Sequence, residues 1–433
     1  MIQRSSKLIA GNGQNVLERS LLKFRNVLNF APFNPGERFR MIVRPKVRGF
    51  ICTTAHSAGC AQNIKDQIEY VRRHGPINGP KRVLVIGAST GYGLASRIVS
   101  AFGSGASTIG VFFEKPAEGE RTATAGWYNS AAFEVEARKA GLYSKSFNGD
   151  AFSDQIKAQV VQAIRKDLGQ VDMVIYSLAA PRRVHPKTGE RFKGVVKPLG
   201  KAFKNRALDL ETFEIIDVTT EPGTEEERKQ TVAVMGGEDW EMWIETLKKE
   251  GVLADKSLTL AYSYLGPDIT FPIYRQGTLG AAKDHLEATA HKLDETLRPK
   301  GGRAFVSVQK ALVTQASAAI PLMALYMVIL LKVMRQKGVD EHCIQQIHRL
   351  YQDRLFSGRE IPVDEKGRIR LDDLELRNDV QAEVKQSWEA ITTENFKDYA
   401  DISAYQNDFL RLFGFEVPGI DYEKDVEVDV PIP

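Results

Sequence analysis

The sequence predicts an α/β fold: a Rossmann-like, doubly wound parallel sheet that is enlarged by insertions and by a helical C-terminal region. First, Val83–Ile86 is a continuous apolar run, which suits a strand buried on both faces of a parallel sheet. Second, the glycine-rich stretch "GASTGYG" follows this run at once and leads into a helical pattern. Third, further strand-like runs alternate with helical patterns such as residues 153–168. This alternation is typical of parallel sheets with helices on both faces.

The glycine-rich stretch has the properties of a phosphate-binding loop. Gly87 permits a sharp turn, whereas Gly91 and Gly93 let the backbone approach a pyrophosphate and let the helix pack on the strand. The phosphate charge then faces the free N–H groups of the helix N-terminus. The Gly-x3-Gly-x-Gly spacing resembles that of short-chain dehydrogenases/reductases, although a plain glycine-rich turn is the alternative. We assign the whole loop to a dinucleotide: Gly87, Ala88, Ser89, Thr90, Gly91, Tyr92 and Gly93.

The next strand, "STIGVFFEKP", is expected to end at Glu114. An acid about 20 residues after the glycines can accept hydrogen bonds from the adenosine ribose and repel a 2′-phosphate. Glu114 therefore favours NADH over NADPH, although the neighbouring cation Lys115 can tolerate the phosphate. We assign Phe113 to the cofactor site together with Glu114.

Two further strand ends are expected at the same edge of the sheet. Asp150 and Ala151 follow a third short strand and are placed to touch the adenine. The fourth strand, Val171–Tyr176, is followed by Ser177, Leu178 and Ala179, which are expected to pass under the dinucleotide. Small residues at this strand end leave room for the cofactor. Ligands of such sheets bind beyond the carboxyl ends of the strands.

A tyrosine and a lysine stand nine positions apart in "YRQGTLGAAK". A strand is expected over Leu258–Tyr264, and a long amphipathic helix follows as far as Leu297. In one unbroken helix, nine steps would turn Lys283 about 900° and move it about 13.5 Å from Tyr274, so the two would face different sides. If they serve one site, the backbone must break between them, and Gly277 and Gly280 are the candidate breakers.

The Tyr274-x8-Lys283 spacing replaces the Tyr-x3-Lys pair of short-chain reductases. It occurs together with "GFICTTAHSAGC", "GASTGYGLASR", "VFFEKP", "GWYNSAAF", "SKSFNGDAFSD", "VIYSLAAPRR", "VMGGEDWEMWI", "VTQASAAIP" and "FLRLFGF". With these segments in order from Met41 to about Asp429, the chain resembles the trans-2-enoyl-CoA/acyl-carrier-protein reductase family (FabV type).

The resemblance implies a largely monomeric enzyme that uses NADH to reduce the 2,3 double bond of an enoyl-CoA or enoyl-acyl-carrier-protein in fatty acid synthesis. It places Tyr274 as proton donor, Lys283 at the cofactor and Tyr264 on the substrate carbonyl. It also places a short stretch against the nicotinamide: Leu312, Val313 and Thr314. Hydride added to the β-carbon leaves negative charge on the thioester oxygen, which phenol donors stabilise.

Residues 41–433 are expected to form one Rossmann-like reductase domain, with a substrate-side insertion at about 182–257 and a helical C-terminal region at about 316–433. The whole chain carries a net charge of +4, and residues 1–40 alone carry +5. The rest of the chain therefore carries −1, which speaks against nucleic-acid binding. This basic leader is either an organelle presequence or untranslated sequence before a start at Met41, and we favour the second.

Three cysteines in 433 residues suit a reducing compartment, so we expect a cytoplasmic protein.

Four weaker patterns are interpreted conservatively. Cys52, His56 and Cys60 have no close fourth ligand, so we expect no metal. The apolar run at 318–331 is shorter than a membrane span and predicts a buried helix or the wall of an acyl tunnel. Nine Lys/Arg and one acid lie between positions 182 and 206, either as a solvated loop or as a landing patch for coenzyme A phosphates or an acidic carrier. The stripe "DWEMWIETL" predicts core packing.

Two other functions stay open on the residues. A β-ketoacyl or other carbonyl reductase is the alternative within enzymes, although the missing Tyr-x3-Lys counts against it. A non-catalytic dinucleotide-binding protein is the alternative outside enzymes, and NADH binding without turnover would support it.

Overall fold

The computed structural model describes residues 39–48, 51–314, 317 and 320–433. Seven parallel strands form the central sheet: β1 Arg82–Ile86, β2 Ser107–Phe112, β3 Ser144–Asn148, β4 Val171–Tyr176, β5 Leu253–Ser263, β6 Arg303–Val308 and β7 Ile369–Arg370. Their spatial order is β7-β6-β5-β4-β1-β2-β3. The order reverses between β1 and β4, and this reversal makes a crevice at the carboxyl ends of the strands. The predicted doubly wound sheet is confirmed.

The strand bounds follow the predictions with two differences. β4 has the predicted bounds, and Val83–Ile86 within β1 are completely buried. β2 ends at Phe112, two residues before the expected end at Glu114. β5 covers Leu253–Ser263 and not the expected Leu258–Tyr264. It begins earlier because its pairing with β4 shifts register between Leu253 and Leu258 and the strand continues through the irregularity.

Helices pack on both faces of the sheet and extend beyond it. Their bounds are α1 Ser57–Arg73, α2 Gly91–Ile98, α3 Ala125–Lys139, α4 Asp154–Ala163, α5 Glu225–Met235, α6 Glu238–Lys249, α7 Phe271–Tyr274, α8 Thr278–Leu297, α9 Pro321–Gln336, α10 Cys343–Arg349, α11 Asn378–Ala390, α12 Phe396–Tyr399 and α13 Ile402–Arg411. Helices α2, α4 and α10 continue as π-helical turns over Val99–Gly103, Ile164–Leu168 and Leu350–Leu355. Short 3₁₀ turns cover Asp268–Thr270 and Arg298–Lys300.

The segment between β4 and β5 holds two antiparallel hairpins and two helices. The hairpins pair Arg182–Val184 with Arg191–Lys193, and Phe203–Leu208 with Ile215–Thr220. Helices α5 and α6 follow. The tryptophans at 240 and 243 are completely buried in the core under β4 and β5, so the predicted packing role of this helix is confirmed.

The N-terminal run after Met41 forms only two-residue strands. Arg40–Met41 pairs with Val426–Glu427, and Val47–Arg48 pairs with Ile51–Cys52. Pro45 lies within this stretch and lacks a backbone donor, which disfavours a longer strand. Arg40–Pro433 form one compact unit, whereas residues 1–38 of the predicted leader lie outside the described residues.

Residues 321–331 of the predicted apolar run lie in α9, which is buried from Leu322 to Leu331, whereas residues 318 and 319 lie outside the described residues. The helix begins at Pro321, where the fixed φ of proline suits a first helical position. It packs against the hairpin strand Phe203–Leu208 and against α11 and α13. No helix in the described part of the chain is long and apolar enough to span a membrane.

Candidate active site

The glycine loop between β1 and α2 has the geometry of a phosphate cradle. Gly87 has φ +87°, and a Cβ there would lie 2.1 Å from the Ser177 carbonyl oxygen. A Cβ on Gly93 would lie 2.0 Å from the Gly87 carbonyl oxygen, so the helix packs directly on the turn. Thr90 precedes the helix with an extended backbone, and its side chain makes no capping hydrogen bond. The first N–H groups of α2 therefore remain for a phosphate, and the loop fits a pyrophosphate.

Glu114 lies beside this loop, just after β2. The Ser89 hydroxyl donates a 2.7 Å hydrogen bond to Glu114 Oε1. Asn148 holds the Glu114 backbone on both sides, since it accepts from the N–H at 2.7 Å and donates to the carbonyl at 2.9 Å. A Cβ on Gly126 would lie 2.1 Å from Glu114 Oε1. Sequence reasoning missed Asn148 and Gly126 as residues that position the acid, although Asn148 stands in the "SKSFNGD" motif.

The remaining residues predicted at the cofactor edge have mixed surroundings. Phe113 is 79% exposed, which leaves its ring open at the strand end. Asp150 Oδ1 accepts the Phe152 N–H at 3.0 Å and shapes the turn after β3. Ala151 is buried, and its carbonyl accepts from Trp243 Nε1 at 3.1 Å. Leu178 and the exposed Ala179 follow β4 directly at the crevice.

The helix that was expected to carry the Tyr274–Lys283 pair is broken between them. Helix α7 ends at Tyr274, and α8 begins at Thr278 after an extended Gly277 (φ −109°, ψ −171°). Gly277 also forms an isolated antiparallel bridge with Pro198 of the insertion. The predicted break is confirmed at Gly277. Gly280 lies inside α8, and its lack of a side chain admits the Arg275 carbonyl oxygen, which would lie 2.1 Å from a Cβ.

The break brings Tyr274 against Tyr264. The two ring centroids are 5.0 Å apart and the planes meet at 89°. Tyr264 directly follows the last residue of β5, whereas Tyr274 ends α7. Burial raises the pKa of both phenols, so both remain protonated donors at neutral pH.

Lys283 reaches the same strand end from α8. Its Nζ donates to Ser263 Oγ at 3.2 Å, and Ser263 precedes Tyr264. Burial lowers the pKa of Lys283 to about 8; the Arg275 cation contributes to the decrease and Glu287 opposes it. Ser263 thus links the predicted lysine to the tyrosine pair.

Glu375 is a site residue that sequence reasoning missed. It is completely buried, and its Oε1 lies 2.9 Å from the Tyr264 hydroxyl and 2.7 Å from the Tyr326 hydroxyl. Its Oε2 accepts the Ala311 N–H at 2.6 Å. No local signal marks Glu375, because it follows Tyr264 by 111 residues and stands in an ordinary acidic stretch, "LDDLELRND".

The predicted nicotinamide stretch follows β6 and meets the glycine-loop helix. The Tyr92 hydroxyl donates to the Lys310 carbonyl oxygen at 3.0 Å. Leu312 and Val313 are buried, and the Thr314 N–H donates to Ser317 Oγ at 2.9 Å. Tyr92 therefore connects the cradle to this stretch.

The cysteine–histidine pattern near the N-terminus has a structural role. His56 Nδ1 accepts the Gly59 N–H at 3.0 Å and caps α1. Burial raises the pKa of the Cys60 thiol, which disfavours a thiolate ligand. Within the described residues, no group of three or more His, Cys, Asp or Glu side chains is arranged to hold a metal ion.

The basic segment at 182–206 is divided between the interior and the surface. Arg183 is buried and donates to Glu238 Oε2 at 2.5 Å, whereas Lys197 pairs with Glu227 at 2.7 Å. Arg206 donates to the Ile391 carbonyl oxygen at 2.9 Å. The exposed cations are Arg182, Lys187, Arg191, Lys193, Lys201 and Lys204.

Three family models cover most of the chain. Residues 42–119 match the NAD(P)H binding domain of trans-2-enoyl-CoA reductase, and residues 121–356 match the trans-2-enoyl-CoA reductase catalytic region. Residues 363–426 match a model described as the enoyl reductase FAD binding domain. This last segment has the strand Ile369–Arg370, three helices and the first residue of the strand Val426–Glu427. It has no glycine-rich turn between a strand and a helix, so its residues do not fit a flavin dinucleotide in the way that the 87–93 loop fits a pyrophosphate.

Close relatives match nearly their whole length. The chain is 59% identical to the enoyl-[acyl-carrier-protein] reductase [NADH] of Flavobacterium johnsoniae, over 90% of this chain and 99% of the relative. It is 56% identical to the trans-2-enoyl-CoA reductase [NADH] of Ruminiclostridium cellulolyticum, with the same coverage.

Solved structures agree with the sequence relatives. The Treponema denticola trans-2-enoyl-CoA reductase in complex with NAD is 50% identical, with a TM-score of 0.87 over 91% of this chain and all of that chain. The Clostridium acetobutulicum trans-2-enoyl-CoA reductase in complex with NADH is 46% identical, with a TM-score of 0.87 over 90% of this chain and 98% of that chain. The chain therefore belongs to the trans-2-enoyl-CoA/enoyl-[acyl-carrier-protein] reductase family.

Proposed function

We propose that this chain uses NADH to reduce the 2,3 double bond of trans-2-enoyl thioesters, carried on coenzyme A or acyl carrier protein, in fatty acid synthesis. One observation carries the proposal. The backbone breaks at Gly277, so that Tyr274 meets Tyr264 and Lys283 reaches the residue before Tyr264, all at the carboxyl end of a sheet that also carries a phosphate cradle. The membership of the family supports the same reaction.

The site residues have distinct roles in this proposal. Bound NADH supplies the hydride that adds to the β-carbon of the substrate. Tyr264 contacts the thioester carbonyl, and Tyr274 stabilises the enolate and donates the proton that completes the reduction. Lys283 binds the cofactor and contributes positive charge beside developing negative charge.

We assign the cofactor residues on the assumption that NADH lies in the crevice at the carboxyl ends of the strands. The loop from Gly87 to Gly93 holds the pyrophosphate at the start of α2. Glu114 binds the adenosine ribose and disfavours NADPH. In this proposal Asp150 and Ala151 would lie at the adenine, Leu178 and Ala179 under the dinucleotide, and the 312–314 stretch against the nicotinamide. Phe113 is assigned to the same cofactor site.

The reaction is tested by following NADH absorbance with purified protein and a short trans-2-enoyl-CoA. We expect NADH to be consumed with the enoyl substrate, and much less turnover with NADPH or with a β-ketoacyl thioester. Consumption with only the ketoacyl substrate would assign Tyr274 to carbonyl reduction. NADH binding without turnover of either substrate, also when both are carried on acyl carrier protein, would identify a non-catalytic binding protein.

The exposed cations of the basic segment support an anionic carrier. Lys201 and Lys204 lie in and beside the hairpin that packs on α9, and long-range attraction would steer phosphate groups or an acidic carrier to this side. Replacing both by Glu should lower kcat/KM for a carrier-bound enoyl substrate at low salt. The matched control replaces Lys248 and Lys249, two exposed lysines on α6, by Glu. Equal rates for all three proteins would contradict this role.

We also propose a cytoplasmic monomer. Cys52, Cys60 and Cys343 are free thiols, which suits a reducing compartment, and the family resemblance implies a monomer. Light scattering on the full chain tests the oligomeric state, and a mass of two or more chains would contradict it.

A further inference from the structure

The protons around Glu375 decide what Tyr264 can offer to a substrate. Both carboxyl oxygens are engaged: Oε2 by the Ala311 N–H, and Oε1 by the hydroxyls of Tyr326 and Tyr264. A carboxylate would accept from all three. A neutral carboxylic acid would instead carry one proton of its own, which must go to one of these neighbours.

Gln381 favours one direction of the Tyr326 contact. Its Nε2 lies 2.7 Å from the Glu375 carbonyl oxygen, which only accepts, and 3.2 Å from the Tyr326 hydroxyl oxygen. The Tyr326 oxygen therefore accepts from Gln381, which favours its O–H as the donor to Glu375 Oε1. Since Ala311 N–H also only donates, the contact with Tyr264 is the one that can run in either direction.

The surroundings of Glu375 disfavour a carboxylate. The carboxyl is completely buried, and Lys310, the cation on the neighbouring segment, pairs with Asp340 at 3.0 Å. Among the described residues, four phenols also interact electrostatically with this carboxyl: Tyr92, Tyr264, Tyr274 and Tyr326. Burial raises the pKa of Glu375, and the Ala311 N–H, the hydroxyls and Lys310 oppose this increase only in part.

We propose that Glu375 works as a neutral carboxylic acid, which donates a hydrogen bond to the Tyr264 oxygen and so turns the Tyr264 O–H toward the thioester oxygen. This inference rests on the proposed function, in which Tyr264 contacts the substrate. Glu375 is then a positioning residue, because it acts through Tyr264. A carboxylate at this position would accept a hydrogen bond from the Tyr264 O–H, which could then not donate to the thioester oxygen. It would also repel the negative charge of the enolate.

Infrared difference spectroscopy tests the protonation state directly, without substrate. The full chain is compared with Glu375→Gln at neutral pH. We expect the carbonyl stretch of a hydrogen-bonded carboxylic acid in the wild type and its loss in the variant. Absence of that band in the wild type overturns the inference, whether or not the protein reduces enoyl thioesters, so this failure is distinct from failure of the proposed function.

Paired variants test the positioning role in turnover. The first variant combines Glu375→Gln with Tyr326→Phe. The glutamine amide keeps a donor for the Tyr264 oxygen and an acceptor for the Ala311 N–H. Its NH₂ group cannot accept from the Tyr326 hydroxyl, so Tyr326→Phe removes that hydroxyl. Glu375→Leu with Tyr326→Phe fills the same space without a donor. We expect the leucine pair to lose about 100-fold in kcat and the glutamine pair to recover about tenfold of this loss. Equal loss in both pairs, at unchanged NADH affinity and melting temperature, overturns the inference.

The pH dependence of kcat gives a second kinetic readout. In the wild type, deprotonation of Glu375 removes the donor, so kcat should fall as the pH rises through the raised pKa of this carboxyl. The glutamine pair has no such proton, and its basic limb should lie at higher pH. Identical basic limbs in the wild type and the glutamine pair would overturn the inference.

Discussion

The rings of Tyr264 and Tyr274 meet edge to face, with centroids 5.0 Å apart. Aromatic pairs favour this geometry because the positive ring edge meets the negative ring face. Tyr264 belongs to the end of β5 and Tyr274 to the end of α7, so the contact joins the strand to the helix break. Two phenol donors from different elements thereby reach one site.

Tyr274→Phe should abolish most turnover and leave NADH binding intact. The substitution removes the proton donor and keeps the ring contact with Tyr264, so we expect kcat to fall by about 10²- to 10⁴-fold. The measurement is steady-state kinetics with an enoyl thioester, together with the NADH dissociation constant by fluorescence. Tyr405→Phe is the matched control, since that buried hydroxyl on α13 has no hydrogen-bond partner in the described structure. Wild-type turnover of the Tyr274 variant would exclude it as the donor.

Cofactor affinity should depend on the charge of Lys283. Its pKa is lowered to about 8, so the cation is present below that pH and is lost as the pH rises through it. We expect NADH affinity to weaken between about pH 7 and about pH 10, and the wild type to approach Lys283→Met at the upper end. Lys283→Arg keeps its charge throughout this range, so its affinity should be independent of pH. The same pH dependence in the arginine variant would assign the titration to another group.

Glu114 should control the choice between NADH and NADPH. Glu114→Gln removes the charge that repels a 2′-phosphate and keeps an acceptor for the Ser89 hydroxyl. We expect NADPH affinity to rise about tenfold relative to NADH affinity. Glu118→Gln removes an exposed charge four positions further along the chain and should leave the ratio unchanged. An unaltered ratio in the Glu114 variant would show that specificity arises elsewhere.

Gly280→Ala should strain the junction between α7 and α8. The new Cβ would lie 2.1 Å from the Arg275 carbonyl oxygen, so the junction must move. We expect a loss of about 1–3 kcal/mol in the free energy of unfolding, as for overpacked sites, and a lower kcat because Tyr274 and Lys283 flank the junction. Denaturant unfolding and steady-state kinetics measure the two effects.

Ala281→Ser adds an atom to the same turn of α8 at a partly exposed position and serves as the control for that experiment. Unchanged stability and turnover in Gly280→Ala would show that the Arg275 carbonyl can move at no cost.

The sequence by itself determined the parallel sheet, the phosphate cradle and the need for a break between Tyr274 and Lys283. Each of these depends on local features: a continuous apolar strand, glycines at fixed spacing, and the geometry of nine helical steps. Other features depend on contacts between distant segments. Asn148 lies beside Glu114, and Arg183 points inward to Glu238 although its segment is predicted to be a basic surface.

Only the tertiary structure decided the surroundings of the tyrosine pair. Glu375 reaches Tyr264 across 111 positions, and Tyr326 and Gln381 come from α9 and α11. A glutamate among other acids is normally solvated, so its chain position carries no sign of burial. Its surroundings are set by how α9 and α11 pack against the end of β5, because that packing removes water and leaves phenols and one backbone N–H as its partners.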